Sequence, residues 1–431
     1  MTNIIFILSA LIFQSLADVL QCDVYFGFNI PTNCRITTGS VADGEILQIS
    51  NNNQSIALLT FSNVNFNSIP KNIFVNYPNI KTFYVTDNNL NQLISDDFKN
   101  AQKLTTIFIY KNQLKVLNAN AFQFCSSLTD LEISTNPITN IVQNAFAGLS
   151  NLQQLLLTDL PLSNFNSIVL SDLPALQSLE MRNCSLTIID KNFFVANKNL
   201  STIDLENNNI DTIENGAFDN LLNIQTLLLN FNQLTTVSTY NAKSFSAEYN
   251  LLKSFHIGSL SEGITVQNNF IFSFSCDKTL NVLSFDASNN SISKIPCVAK
   301  MVNAFTIDLS SNNIGKVRKT IFANLNKTLT LDIHNNPNMK IGSKILISMT
   351  NLRSLSVDFL VNGYKNLKEI HPKLETIYIS TEQWTCAHLT KVANTLNDQK
   401  IYLDYNNKTL DFFNFKCQLD NFDVSHFNTT R

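Results

Sequence analysis

The stretch LTTIFIYKNQLKVL, residues 104–117, decides the fold. Its motif positions are Leu104, Ile107, Ile109, Asn112, Leu114 and Leu117. Ile107 and Ile109 alternate with outward residues, the period-two pattern of a short strand with one buried face. The same spacing returns 24 residues on, at Leu128, Leu131, Ile133, Asn136, Ile138 and Ile141. Working outward, first positions fall at Ile56, Ile80, Leu104, Leu128, Leu152, Leu176, Leu200 and Ile224. The steps then shrink to 18, 19, 21 and 22 through Ala242, Ser261, Val282 and Ala304, before Thr328, Leu352 and Leu374 complete the series. A fixed period of this length means stacked coils, each too small to bury its apolar face alone.

The pattern L-x-x-L-x-L-x-x-N is the leucine-rich-repeat signature. The expected fold class is α/β: a leucine-rich-repeat solenoid (horseshoe) with a parallel β-sheet on the concave side and cysteine-closed caps at both ends. The Asn follows the strand, where its amide can both donate to and accept from backbone groups of neighbouring turns. Val64, Leu160, Cys184 and Leu360 interrupt this ladder, and the gap at Leu160 and Cys184 spans consecutive repeats. A second column, Phe74, Phe98, Phe122, Phe146, Leu170, Phe194 and Phe218, is read as core on the convex side, lost in the short repeats and regained at Phe322. The domain reading is 1–17 leader, 18–55 N-terminal cap, 56–383 repeat array (irregular over 238–303) and 384–431 C-terminal cap and tail.

Charged residues make up 15% of the chain and the net charge is -3, with no basic stripe, so nucleic acid is not an expected partner. The apolar run from Ile4 to Phe13, followed by Leu16-Ala17-Asp18, reads as a secretory signal cut after Ala17, although no basic residue precedes it. The run is too short to span a bilayer, which needs roughly 20 residues. A secreted, extracellular protein is therefore expected. The polar tail from Asn421 to Arg431 does not resemble a lipid-anchor signal. N-x-S/T sequons at Asn53, Asn183, Asn199, Asn289, Asn326, Asn407 and Asn428 are candidate glycan sites, or chance products of an Asn-rich chain.

Cysteines are measured by repeat position. Cys276 and Cys297 each lie 15 residues after a repeat start, so stacking brings them side by side within disulfide reach. Cys22 with Cys34, and Cys386 with Cys417, would close the caps. Cys125 and Cys184 occupy registers that do not meet and are expected as buried thiols, Cys184 standing in for a ladder Asn.

No catalytic motif occurs, the five histidines are scattered, and neither an enzyme nor a cofactor is expected. Two outward features remain. Tyr84, Phe108 and Tyr110 project from adjacent strands, either as an interface or as a simple aromatic cover. Asp286, Asp308 and Asp332 share one outward slot, either as a binding patch or as a solvated face. Glu132, Glu180 and Asp204 continue that slot toward the N-terminus.

Three stretches carry a resemblance. Asn120-Ala121-Phe122, Asn144-Ala145-Phe146 and Gly216-Ala217-Phe218 resemble extracellular animal leucine-rich repeats, shared by Toll-type ectodomains and secreted insect immune proteins. Ser275-Cys276 with Cys297, and Trp384-x-Cys386-x-x-Leu389, are similar to the mosquito leucine-rich-repeat immune (LRIM) family. That resemblance implies a hemolymph protein that binds thioester-containing complement-like proteins. The family's double-cysteine motif and coiled coil are not found, which implies the coil-less type and a monomer or non-covalent oligomer. The leading reading is a secreted recognition protein of invertebrate innate immunity that binds a protein through its concave face. A receptor or adhesion ectodomain held by a co-receptor, or a regulatory subunit of a secreted enzyme, remain the alternatives.

Overall fold

The computed structural model describes residues 19–20, 33–37, 48–49, 56–358, 360, 364–379 and 386–404. The chain divides into two units, 1–176 and 177–431. The division falls between Leu160 and Cys184, the consecutive repeats that lack a ladder Asn.

In the first unit, strands Asn33–Ile36, Leu58–Ser62, Thr82–Thr86, Thr106–Tyr110, Asp130–Ser134 and Gln154–Leu156 pair in parallel, each at the same slot as its neighbour. The sheet thus begins one strand before Ile56, inside the expected cap. Phe83, Ile107, Ile109 and Leu131 point into the core and are almost fully buried. On the return side, the chain runs through turns, the short helix Ile73–Asn76 and the 3-10 segment Ser167–Asp172. These carry the phenylalanine column: Phe74 meets Phe98 at 5.8 Å and Phe98 meets Phe122 at 5.4 Å.

In the second unit, the main sheet runs in parallel from Ser178–Glu180 through Thr202–Asp204, Thr226–Leu228, Ser244–Ser246, Gly263–Thr265 and Ser284–Asp286. It continues through Thr306–Asp308, Thr330–Asp332, Ser354–Val357, Thr376–Ile379 and Tyr402–Asp404. The last strand lies beyond the expected array and extends its sheet, as Cys386–Asn397 forms a helix between them.

The short repeats differ on the return side. The 24-residue repeats carry two-residue parallel pairs there, Val116–Leu117 with Asn140–Ile141 and Ile188–Ile189 with Thr212–Ile213, whereas in the short repeats Thr236–Ser238, Ser254–Ile257 and Ser273–Cys276 form a longer parallel ladder. A strand advances about 3.3 Å per residue against 1.5 Å for a helix, so fewer residues close the coil. The aromatic column does not simply vanish here, as the sequence suggested. Tyr240 packs on Phe218 at 4.5 Å, and Phe255 stacks on Phe274 at 5.3 Å. The new strands bring their own filling.

The asparagine ladder joins the coils. Asn208 donates from Nδ2 to the Met181, Leu205 and Glu206 carbonyls at 2.7, 3.0 and 3.1 Å. Its Oδ1 accepts from the Cys184 and Leu186 N–H groups at 2.9 and 3.0 Å. Asn88, Asn232, Asn250, Asn269 and Asn312 repeat the scheme. Cys184 takes the local half of the role, its Sγ donating to the Arg182 carbonyl at 3.3 Å.

Cys276 and Cys297 are bonded, with Cα atoms 6.1 Å apart. Cys34 is disulfide-bonded, but Cys22 and Cys417, and the side chain of Cys386, lie outside the described residues, as does Trp384. Cys125 and Cys184 are buried, reduced thiols. Burial pushes the Cys125 thiol up to about 12, which keeps it protonated and unreactive.

Candidate functional site

The outward slots of the main sheet are laid down by the same alternation that buries the leucines. In the first unit, Tyr84 and Phe108 face each other across paired strands, their rings parallel within 4° and 4.5 Å apart. Tyr110 lies one outward slot further along, with Lys111 Nζ 5.0 Å from its ring centre and 3.9 Å from Asp87. All three aromatics are half-buried rather than fully exposed. Tyr110 stands between Thr86 and Ser134 in the slot next to the stack, with the Lys111 cation at its ring. The next strand adds Glu132, which accepts from Ser134 Oγ at 2.6 Å.

In the second unit the same slots turn acidic. Asp286, Asp308 and Asp332 stand directly opposite one another, as expected from their spacing. All three are half-buried. Burial raises the Asp308 pKa to about 6, Asp332 and Asp286 add to the rise, and hydrogen bonds from Ser310 oppose it. Asp332 is engaged by His334, whose Nδ1 lies 2.6 Å from Oδ1. Burial pulls the His334 pKa down, but the bond to Asp332 and the charges of Asp332, Asp308 and Asp358 outweigh it and leave it raised. His334 also meets the Tyr378 ring edge-on at 5.0 Å.

Further toward the N-terminus of this unit, Arg182 bridges Glu180 at 3.2 Å and Asp204 at 2.7 Å. The sequence reading named both acids but missed the arginine between them. It lies two residues after Glu180, on the same face of the alternation, and that spacing was the available signal. Also missed was a stacked pair, Phe231 and Tyr249, on the turn beside the sheet.

The sequons Asn183, Asn199, Asn289 and Asn326 are all exposed, while Asn53, Asn407 and Asn428 lie outside the described residues. Asn183 and Asn289 sit in left-handed turns just past their strands, at φ 52° and 53°. Among the described residues no group of three His, Cys, Asp or Glu is arranged to hold a metal ion. No described helix is long and apolar enough to cross a membrane.

Residues 45–129 and 115–252 match the BspA type leucine-rich repeat region, in six copies. The chain has the leucine-rich-repeat fold. A leucine-rich-repeat protein of Leptospira interrogans is 17% identical, with a TM-score of 0.59 over 79% of this chain and 93% of that one. Toll, in the glycosylated Drosophila Toll–Spatzle complex, is 17% identical with a TM-score of 0.57 over 81% of this chain. This leucine-rich-repeat chain spans 52% of the Toll chain, about half its length. The APL1 leucine-rich repeat domain is 15% identical, with a TM-score of 0.51 over 87% of this chain and 92% of that domain. No curated protein matches the sequence.

Proposed function

We propose that this chain is a secreted recognition protein of invertebrate innate immunity, which binds a protein partner through the outward face of its first-unit sheet. The observation that carries the reading is the parallel stack of Tyr84 on Phe108, with Tyr110 and Lys111 beside it. Protein contacts draw most of their energy from a few aromatic anchors that become fully dry, not from total area. A rigid ring stack loses little side-chain freedom on binding, so it suits that role. The residues from Ile56 to Thr158 hold no sequon, which leaves this face clear of glycans. The column Asp286, Asp308 and Asp332 serves as a secondary, basic-partner contact.

The immune assignment and the complement-like partner rest on the LRIM resemblance of the sequence. Toll, of similar fold, is found in complex with Spatzle, and a protein ligand fits this chain in the same way. Secretion rests on the leader-like residues 1–17, which lie outside the described residues.

Two measurements test the proposal. Expression of the full chain in insect cells should yield medium protein beginning at Asp18, with glycans on exposed sequons. Changing Tyr84, Phe108 and Tyr110 together to Ser should leave melting nearly intact and weaken partner capture from body fluid about tenfold or more. Undiminished capture by the well-folded triple variant would move the site elsewhere.

A further inference from the structure

Among the described residues, the residue just before each ladder position from Val64 to Asn336 takes a left-handed backbone. Asn183, Asn207, Asn268, Asn289, Ser311 and Asn335 hold this place in the second unit, at φ between 52° and 57°. Asn and Ser suit it, because short polar side chains tolerate that conformation most readily, although Lys111 and Thr135 also hold it in the first unit. In two successive short repeats the place is held by Phe231 and Tyr249, at φ 56° and 52°. Their rings stack 4.7 Å apart and within 6° of parallel, and each is about half exposed, 48% and 49%. Packing in the core does not call for them, since both project from the turn.

The same edge carries three more exposed apolar side chains, Leu251, Phe270 and Phe272. Leu251 and Phe270 each follow the left-handed residue by two places in successive repeats, and Phe272 lies two places further, so stacking sets them in neighbouring positions. Phe231 N–H donates to the Glu248 carbonyl at 3.0 Å, and Leu251, Phe270 and Phe272 donate to Leu234, Leu252 and Lys253 at 3.0, 2.9 and 3.1 Å. Contiguous apolar patches of this kind mark interaction sites, whereas single exposed residues do not.

Glu206 and Glu248 share the outward slot of Asn230, next to Phe231, and neither makes an ion pair among the described residues, Arg182 being engaged by Glu180 and Asp204. Asn230, the residue before Phe231, donates to Glu206 and accepts from the Glu248 N–H at 2.7 Å. Asn230 thus links the Glu206 carboxylate to the Glu248 backbone, while the Glu248 carboxylate accepts from Gln267 Nε2 at 2.8 Å. Burial raises the Glu206 pKa, Asp204 and Glu248 crowd it further, and Arg182 offsets only part of this. Along the two outward slots from Asp204 to Asp332, the positions between these acids hold Leu228, Asn230, Ser246, Thr265, Gln267, Ser288 and Ser310, and none is Lys or Arg.

We propose that the edge of Phe231, Tyr249, Leu251, Phe270 and Phe272 docks a protein segment that carries arginine among apolar side chains. A guanidinium lies flat on the exposed ring of the stack and pairs with Glu206 and Glu248, while the apolar neighbours cover Leu251, Phe270 and Phe272. Arginine fits better than lysine, because its planar group both stacks on a ring and forks onto carboxylates. A neutral glycan would match the rings but leave the carboxylates uncompensated. This surface is separate from the Tyr84–Phe108 stack, so the two readings fail independently.

The test uses the full chain and two charge-matched fluorescent peptides, alternating leucine with arginine or with lysine, together with a neutral glucan oligosaccharide. Phe231→Asn with Tyr249→Asn keeps every charge and installs the residue found at Asn207 and Asn268, so it should melt no lower than the parent. The arginine peptide should bind saturably at physiological salt and lose about tenfold or more in affinity to this variant. Glu206→Gln with Glu248→Gln, which leaves the rings in place, should also weaken it about tenfold. The lysine peptide should bind the parent several-fold more weakly. Unchanged arginine-peptide binding in both variants, equal binding of the two peptides, or oligosaccharide binding that the aromatic variant alone abolishes would overturn the proposal.

Discussion

The repeats beginning at Leu104 and Leu128 and those beginning at Ala242 and Ser261 build the same kind of sheet with different backs. In the first pair, 24 residues return through the two-residue strands Val116–Leu117 and Asn140–Ile141 and then through turns, and Phe122 and Phe146 fill the interior with no exposure. In the second pair, 19 and 21 residues return through strands, with Phe255 and Phe274 stacked between them. Every sheet slot keeps its register across both kinds of coil. The difference teaches that the sheet and its asparagine ladder define this fold, while the return path is interchangeable provided it brings its own apolar filling. The Cys276–Cys297 bond sits at the strand-built end, where Ser273–Cys276 is the last strand of its ladder.

The comparison breaks first on the fillings. Phe122→Ala should cost about 3–5 kcal/mol, because its site is rigid and sealed. Phe274→Ala, 6% exposed on a terminal strand, should cost about 2–3 kcal/mol, as that site can relax. Equal losses in a denaturant melt would mean that the two backs are equally packed. Changing Cys276 and Cys297 together to Ser should cost about 3 kcal/mol by freeing a loop with a sequence separation of 21. Hydrogen exchange should show the opening confined to the short repeats, and loss of protection throughout residues 80–150 would deny that they are a local feature.

Tests on the sheet side are smaller. Asn208→Ala orphans two buried N–H groups and should cost about 2–3 kcal/mol. Asn112 donates to Val85 and Tyr110, but its Oδ1 has no partner among the described residues, so Asn112→Ala should cost about 1–2 kcal/mol. The reverse order in chemical denaturation would show that ladder bonds do not set the cost.

Asp308→Asn should stabilise the chain. The native pKa is raised from 3.8 to about 6, so the native state binds the proton more tightly than the unfolded one. Stability from this group is therefore present below pH 4 and lost as pH rises through about 6. At neutral pH the variant should gain about 1–2 kcal/mol, allowing for partial solvation, and the gain should vanish near pH 4 in paired urea melts. A pH-independent difference would assign it to packing instead. Thr106→Ala, on the outward face, should change stability by less than about 0.5 kcal/mol, and a larger loss would reverse the inward and outward faces.

The spacing of Leu104, Ile107, Ile109 and Asn112 determined the coil, the parallel register and the outward slots. Alternation and repeat period are local properties that stacking merely copies. For the same reason the Cys276–Cys297 pair and the columns of Tyr84 with Phe108, and of Asp286, Asp308 and Asp332, were legible from position alone. The depth of burial of Asp308, the Arg182 bridge to Asp204, the strand-built backs and the Phe231–Tyr249 stack were decided only in three dimensions. Each depends on atoms that stacked coils bring together from residues about twenty positions apart. Their desolvation, charge and ring contacts belong to the neighbourhood and not to the residue.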